Sequence, residues 1–284
     1  MRWRRALART ASEIAALPRI LRGSRPGLRI LLYHAVGSRL EHDAYGISIA
    51  PDLFTCHMAA LVDSQDVTLA DLSRAAFSDE GLRVAVTFDD GYKDNLHRAA
   101  PILLKYGVPF AVFVTSSFIR SGSADYLSPS ELRELANLPG VTIGSHGATH
   151  VPLAGCDDRT LWNELHGSRL YLEDTIGRPV WAVSYPHGSV TRRVADVARQ
   201  AGYITGVCSR FDINAPGRDP LLLCRTEIVA GDSERVFRQK LRGTWDWSRW
   251  QKVDPARVPG HEVGGPAQRL SVEEGKQSGA SSQG

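Results

Sequence analysis

Seven short apolar runs, at 29–36, 83–88, 109–114, 141–144, 180–184, 204–208 and 221–225, punctuate the middle of the chain, and their regular separation restricts the fold more than any single motif. Between them lie segments with helical spacing: 51–61 with Ser48 as a start signal, 95–106 with its regular part beginning near Pro101 and Gly107 at its end, 159–176 closed by Gly177, 191–201 and 233–241. Ser128, Pro129 and Glu131 form a capping-box pattern that opens a further helix through Leu138. Strands that alternate with helices in this way build a parallel sheet with crossover helices. With so many units and no Gly-rich dinucleotide fingerprint, the prediction is an α/β fold in which about seven parallel strands approach a barrel.

The domain so defined spans 29–245, and both flanks differ from it. Residues 1–26 hold seven Arg against one acid, Glu13, a charge of +6 within a whole-chain formal charge of +3, which leaves −3 for the rest. A mildly acidic domain offers no electrostatic footprint for nucleic acid. Within 1–28, Trp3, Leu7, Ala11, Ile14, Leu17 and Leu21 recur every three or four residues among arginines, the pattern of a basic amphipathic helix bent near its end by Pro18. Such a segment suits an anionic membrane surface or packing against the main domain, with a transit peptide as a third option.

Residues 246–284, rich in Gly, Pro, Ser, Gln and charge without apolar periodicity, read as a disordered tail. Trp245, Trp247 and Trp250 read as a cover over the core rather than as a sugar or membrane platform. Cys56, Cys156, Cys208 and Cys224 lack paired metal spacing and fit free thiols. No apolar run is long enough to span a bilayer. The expected location is cytoplasmic, with peripheral contact at the inner membrane face through the basic N-terminus.

The run at 84–88 ends on Asp89, Asp90 and Gly91, so a buried strand delivers two adjacent acids to its carboxyl end, where α/β folds place ligands. Taken alone, this is equally an acidic turn. The partner is Ser145-His146-Gly147-Ala148-Thr149-His150, two histidines four residues apart after another strand; on one helical turn they would face the same way. One carboxylate with two imidazoles supplies three ligands and leaves positions for water and substrate, the donor set of a catalytic metal site. Adjacent acids can then divide the work. One binds the cation, while the other takes a proton from water and is kept ionised by the positive charge beside it.

With these residues the chain resembles the NodB-like polysaccharide deacetylases, a family of carbohydrate esterases, over about 30–242. The most specific likeness is Thr87-Phe88-Asp89-Asp90-Gly91, followed by Ser145 to His150 and by Tyr185-Pro186-His187-Gly188 as a third motif. The resemblance implies a distorted (β/α) barrel of about seven strands. It implies a hydrolase of carbon–nitrogen bonds other than peptide bonds that removes an acetyl group, N- or O-linked, from a glycan, oligosaccharide or glycolipid. It also implies roles: Asp89 as general base, Asp90, His146 and His150 as ligands of a divalent metal, and the backbone N–H of His187 as an oxyanion donor. Zinc suits the donor set first, and cobalt, nickel or iron also fit.

Two positions depart from the family pattern. Ser184 stands where an Arg often orients the base, and Leu223-Cys224-Arg225 stands where Leu-x-His supplies the general acid. A guanidinium donates no proton at neutral pH. Arg225 is therefore expected to place its charge near Asp89, with His187 or a water protonating the leaving amine. His34 reads as structural; Asp94, His42, His57, His97, His166 and His261 read as solvated surface groups, and Asp212 and Asp219 fall near a fourth motif without matching it. Competing readings are a deformylase of a lipid-linked amino sugar and a metal-containing carbohydrate-binding pseudoenzyme, against which the retained Asp89 argues. A two-histidine iron oxygenase and an aspartyl phosphatase are more remote.

Overall fold

The computed structural model describes residues 26–41, 43–72, 81–251 and 253–256. The amphipathic helix of the N-terminal segment, the tail beyond 256, His42 and His261 lie outside these residues. The described strands are β1 (Gly27–Tyr33), β2 (Ala35–Val36), β3 (Ser48–Ile49), β4 (Val67–Leu69), β5 (Leu82–Phe88), β6 (Phe110–Val114), β7 (Val141–Ser145), β8 (Ala182–Ser184), β9 (Thr205–Val207) and β10 (Thr226–Glu227). Seven of them follow one another in the order β10-β1-β5-β6-β7-β8-β9, every pairing parallel, and the short β4 joins the start of β5. The seven curl into a half-barrel with helices around it, the fold expected from the sequence.

Alternation along the strands separates two cores. Leu31, Tyr33, Val84, Val86 and Phe88 face the helices, where Phe54 and Met58 of the helix Pro51–Val62 meet them. Leu28, Ile30, Ala85, Ala111 and Phe113 face the inside of the curl. Each Leu, Ile, Val, Met or Phe among them, fully buried, contributes about 1.5–3 kcal/mol. Thr87 and Asp89 continue the inward register of Ala85, so the pleat that fills the curl also aims Asp89 into its mouth.

The capping box is present in full: the Ser128 side chain accepts from the Glu131 amide, and the Glu131 carboxylate accepts from the Ser128 amide. Several expectations shift. The run 221–225 is a buried connection that bridges to β9 at Leu223, and strand pairing begins afterwards in β10. Ser48 lies in β3, and Ala50 precedes the first turn of the helix. The helices expected over 95–106 and 159–176 each contain a π-turn, at Asn95–Ala99 and Asn163–Gly167. The packed domain also runs past 245: Asp246 is buried and accepts two hydrogen bonds from the buried Arg29 on β1. Trp245 and Trp247 stack at 6.4 Å, half-buried, in the same turn.

Candidate active site

The carboxyl ends of β5, β7 and β8 converge at one mouth of the curl. Asp89 and Asp90 follow β5, and Asp90 takes a left-handed conformation with φ 74°, so two consecutive carboxylates turn to the same pocket. Side chains rarely adopt that region without compensation, and such strain gathers at functional sites. His146 follows β7 directly. His150 reaches the pocket from an irregular loop with its own φ of 63°, not from the helical turn that the four-residue spacing suggested.

His146 Nδ1 donates to the Ser184 carbonyl at 2.8 Å. A carbonyl only accepts, so Nδ1 carries the proton and Nε2 turns a lone pair toward Asp90 Oδ1, 3.4 Å away, and Asp89 Oδ2, 3.7 Å away. His150 Nε2 lies 3.2 Å from the same Asp90 oxygen. That oxygen is buried and has no hydrogen-bond partner. Burial pushes the His146 pKa down, outweighing both aspartates, so the ring is neutral. Burial raises the Asp90 carboxyl, but the contact with His150 wins and holds it below its ordinary value.

An orphaned, ionised oxygen facing a lone pair is repulsive unless a cation lies between them. Ligand atoms of Asp90, His146 and His150 all lie within 4.8 Å of one another, so the three residues fit a divalent metal by donor chemistry and by spacing.

Asp89 is held differently. Arg225 Nη1 donates to its Oδ1 at 2.7 Å, Nη2 donates to its Oδ2 at 2.6 Å, and Ser184 Oγ donates to Oδ2 at 3.0 Å. Arg225 is itself fixed by the Cys208 carbonyl, the Thr87 and Ser184 hydroxyls and the Phe113 ring below it. Burial raises the Asp89 carboxyl, but the Arg225 guanidinium holds it far below the carboxylate range. Thus Arg225 supplies from another strand end the charge that Ser184 lacks. Ser184, noticed in the sequence only for what it is not, links Asp89, Arg225 and His146.

His187 sits at the rim. It has φ 58°, and its exposed ring bonds through Nε2 to the His150 carbonyl at 3.2 Å. His34, read as structural, follows β1, whose last residue Tyr33 pairs with Phe88 just before Asp89, and its buried Nδ1 has no hydrogen-bond partner. A polar residue ending a strand next to the Asp89 strand was the available signal. Two supposed surface groups are buried. Asp94 accepts from the Val36 and Ser38 amides and the Ser38 hydroxyl, and His57 stacks on Phe237 between Tyr33 and the Asp232 carbonyl. Asp212 pairs with Arg210, Asp219 caps the Leu221 amide, and neither belongs to the cluster of Asp90, His146 and His150.

Residues 78–206 match the sequence profile of the family described as polysaccharide deacetylase. The Bacillus subtilis (strain 168) protein YxkH, named for the polysaccharide deacetylases, is 26% identical over 215 residues, 74% of either chain. Among solved structures, a polysaccharide deacetylase from Bacillus cereus has TM-score 0.66 and 25% identity, covering 76% of this chain and 69% of that one. The Streptococcus pyogenes deacetylase PplD, solved in complex with acetate, shares the fold with TM-score 0.67 and 23% identity over 77% of this chain and 99% of its own.

Proposed function

We propose, from the premise that this chain belongs to the polysaccharide deacetylase family, that it is a metal-dependent hydrolase removing an acetyl group from an amino sugar of a glycan or glycolipid. The observation that carries this reading is the different treatment of two adjacent carboxylates: Asp90 keeps a buried oxygen unpartnered toward two histidines, while Asp89 is clamped by Arg225.

Asp90, His146 and His150 would hold the cation. When bound, it supplies a Lewis acid that polarises the acyl carbonyl and acidifies a water. Asp89 is the proton acceptor, using the one lone pair, on Oδ1, that Arg225 and Ser184 leave open. A carboxylate so stabilised is a weak base, and it serves because the water is acidified. The His187 backbone N–H, on its left-handed turn, is the donor to the developing oxyanion.

His34 replaces His187 as proton donor to the leaving nitrogen. Its Nδ1 is buried, unpartnered and near Asp89, whereas the His187 ring is exposed and bonded to a carbonyl. Histidine is the side chain able to carry that proton near neutral pH. Membrane contact through the basic N-terminus remains part of the proposal and would favour a lipid-linked sugar.

The test is release of acetate and of formate from a panel of acylated amino sugars, free and lipid-linked, by zinc- or cobalt-loaded and chelated protein. Acetate release that chelation abolishes is the expected result. Formate release alone would establish the deformylase, and metal-loaded protein releasing neither acid would leave a carbohydrate-binding protein.

A further inference from the structure

Glu164 lies on the π-turn Asn163–Gly167, outside every motif discussed above, and it is buried at 6% exposure. Its carboxylate spends its acceptor capacity on the loop between the two histidines. Oε2 accepts from the Ala148 amide at 2.8 Å and the Thr149 amide at 2.9 Å, and Oε1 accepts from the Thr149 hydroxyl at 2.5 Å. One turn later, Ser168 donates to the Gly147 carbonyl at 2.9 Å and accepts from Ser145 Oγ at 2.9 Å. Every residue from Ser145 to Thr149 except His146 is thus gripped by one helix face.

The reason such a grip is needed lies in the backbone. His150 has a positive φ of 63°, a strained state that its surroundings must hold, and while the Ser116 and Ser117 amides donate to the Gly147 and Ala148 carbonyls, Glu164 takes the Ala148 and Thr149 amides. Gly147 also cannot be larger without cost: a Cβ there would lie 3.1 Å from Glu164 Oε2. A π-turn widens the helix by one residue, and such turns recur at functional sites. Here it coincides with the residue that reaches the loop.

We infer that Glu164 is a positioning residue for the metal centre: it holds the Gly147–Thr149 backbone so that His150 reaches the point already occupied by Asp90 and His146. This rests on the metal reading proposed above. Glu164 touches no ligand atom and no substrate; it acts through the loop. Outer partners of metal ligands typically contribute 10- to 100-fold in affinity.

The experiment is cobalt titration of apo-protein followed by visible absorption, with thermal unfolding of each apo-protein measured in parallel. Glu164→Ala is expected to bind cobalt 10- to 100-fold more weakly and to alter the absorption envelope. Glu164→Gln keeps an oxygen for the two amides and is expected to recover most of that affinity. Thr149→Val, an exposed site that removes only the hydroxyl bond, is expected to weaken cobalt binding by a few-fold and reports if Glu164→Ala does not fold.

Asp90→Ala separates the two levels of the argument. If Asp90→Ala loses cobalt while a folded Glu164→Ala binds it as tightly as wild type with the same spectrum, the positioning role is overturned and the metal reading stands. If Thr149→Val and Glu164→Gln both bind as wild type when Glu164→Ala does not fold, the role is likewise overturned. If Asp90→Ala binds cobalt as tightly as wild type, the metal reading fails and takes this inference with it.

Discussion

Replacing Arg225 by Met keeps much of the side-chain volume and removes the charge, and the structure fixes what should follow. Arg225 and Asp89 are 1% and 4% exposed, and the pair is bidentate at 2.7 and 2.6 Å. Its guanidinium also donates to Cys208, Thr87 and Ser184, so little solvent can re-enter to replace it. Removing one partner of a buried pair costs about 3–5 kcal/mol. With each pKa unit equal to about 1.4 kcal/mol, that corresponds to an upward shift of about 2–4 units at Asp89.

The sign follows from linkage. In wild type the folded Asp89 pKa is depressed, so its contribution is present above the unfolded value of about 3.9 and is lost only as pH falls through the folded value. In Arg225→Met, burial outweighs the remaining Ser184 hydrogen bond and raises the carboxyl, so the variant is penalised at neutral pH and recovers only as the pH falls through the raised value. Urea unfolding at pH 7 and pH 3 should show a deficit of about 3–5 kcal/mol that shrinks on acidification. The acid limb of the kcat/KM profile should move upward. A deficit below about 1 kcal/mol at pH 7, the scale of an exposed pair, together with an unmoved acid limb, would refute the reasoning.

Other expectations concern neighbouring groups. His34→Gln should lower kcat by about 10²- to 10⁴-fold with cobalt affinity nearly unchanged, whereas His187→Phe should leave the pH–rate profile in place; the reverse pattern would return the proton-donor role to His187. Arg29→Met should cost about 3–5 kcal/mol in urea unfolding because it removes the guanidinium paired with the buried Asp246. Arg29→Met combined with Asp246→Leu should recover much of that loss, since an apolar pair can replace a buried ion pair.

The strands were legible because hydrophobic runs bounded by turns report burial, and burial in a parallel sheet is nearly complete on both faces. The same signal misled at 221–225. Leu221, Leu222 and Leu223 are buried, yet the residues that pair along β1 are Thr226 and Glu227. Apolar pattern records removal from water, not which backbone groups bond to which. Asp89, Asp90, His146 and His150 could be read because their chemistry is unusual at strand ends. Glu164 could not, because an acid on an amphipathic helix is indistinguishable from a solvated one until the loop it holds is seen. Asp94 and His57 were misplaced for the same reason: their partners, the Val36 and Ser38 amides and the Tyr33 ring, are distant in sequence. Arg225 came into view only through a departure from a family pattern, and its bond to Asp89 spans 136 residues.

The central claim is that Asp89 and Asp90, adjacent in sequence, have separable jobs. Metal content and turnover measured side by side on Asp89→Asn and Asp90→Asn test it most directly. The account predicts that Asp89→Asn retains one divalent ion per chain and loses turnover by at least about 10²-fold, while Asp90→Asn loses the ion. Metal loss in Asp89→Asn with metal retained in Asp90→Asn, or turnover unaffected by Asp89→Asn, would contradict it.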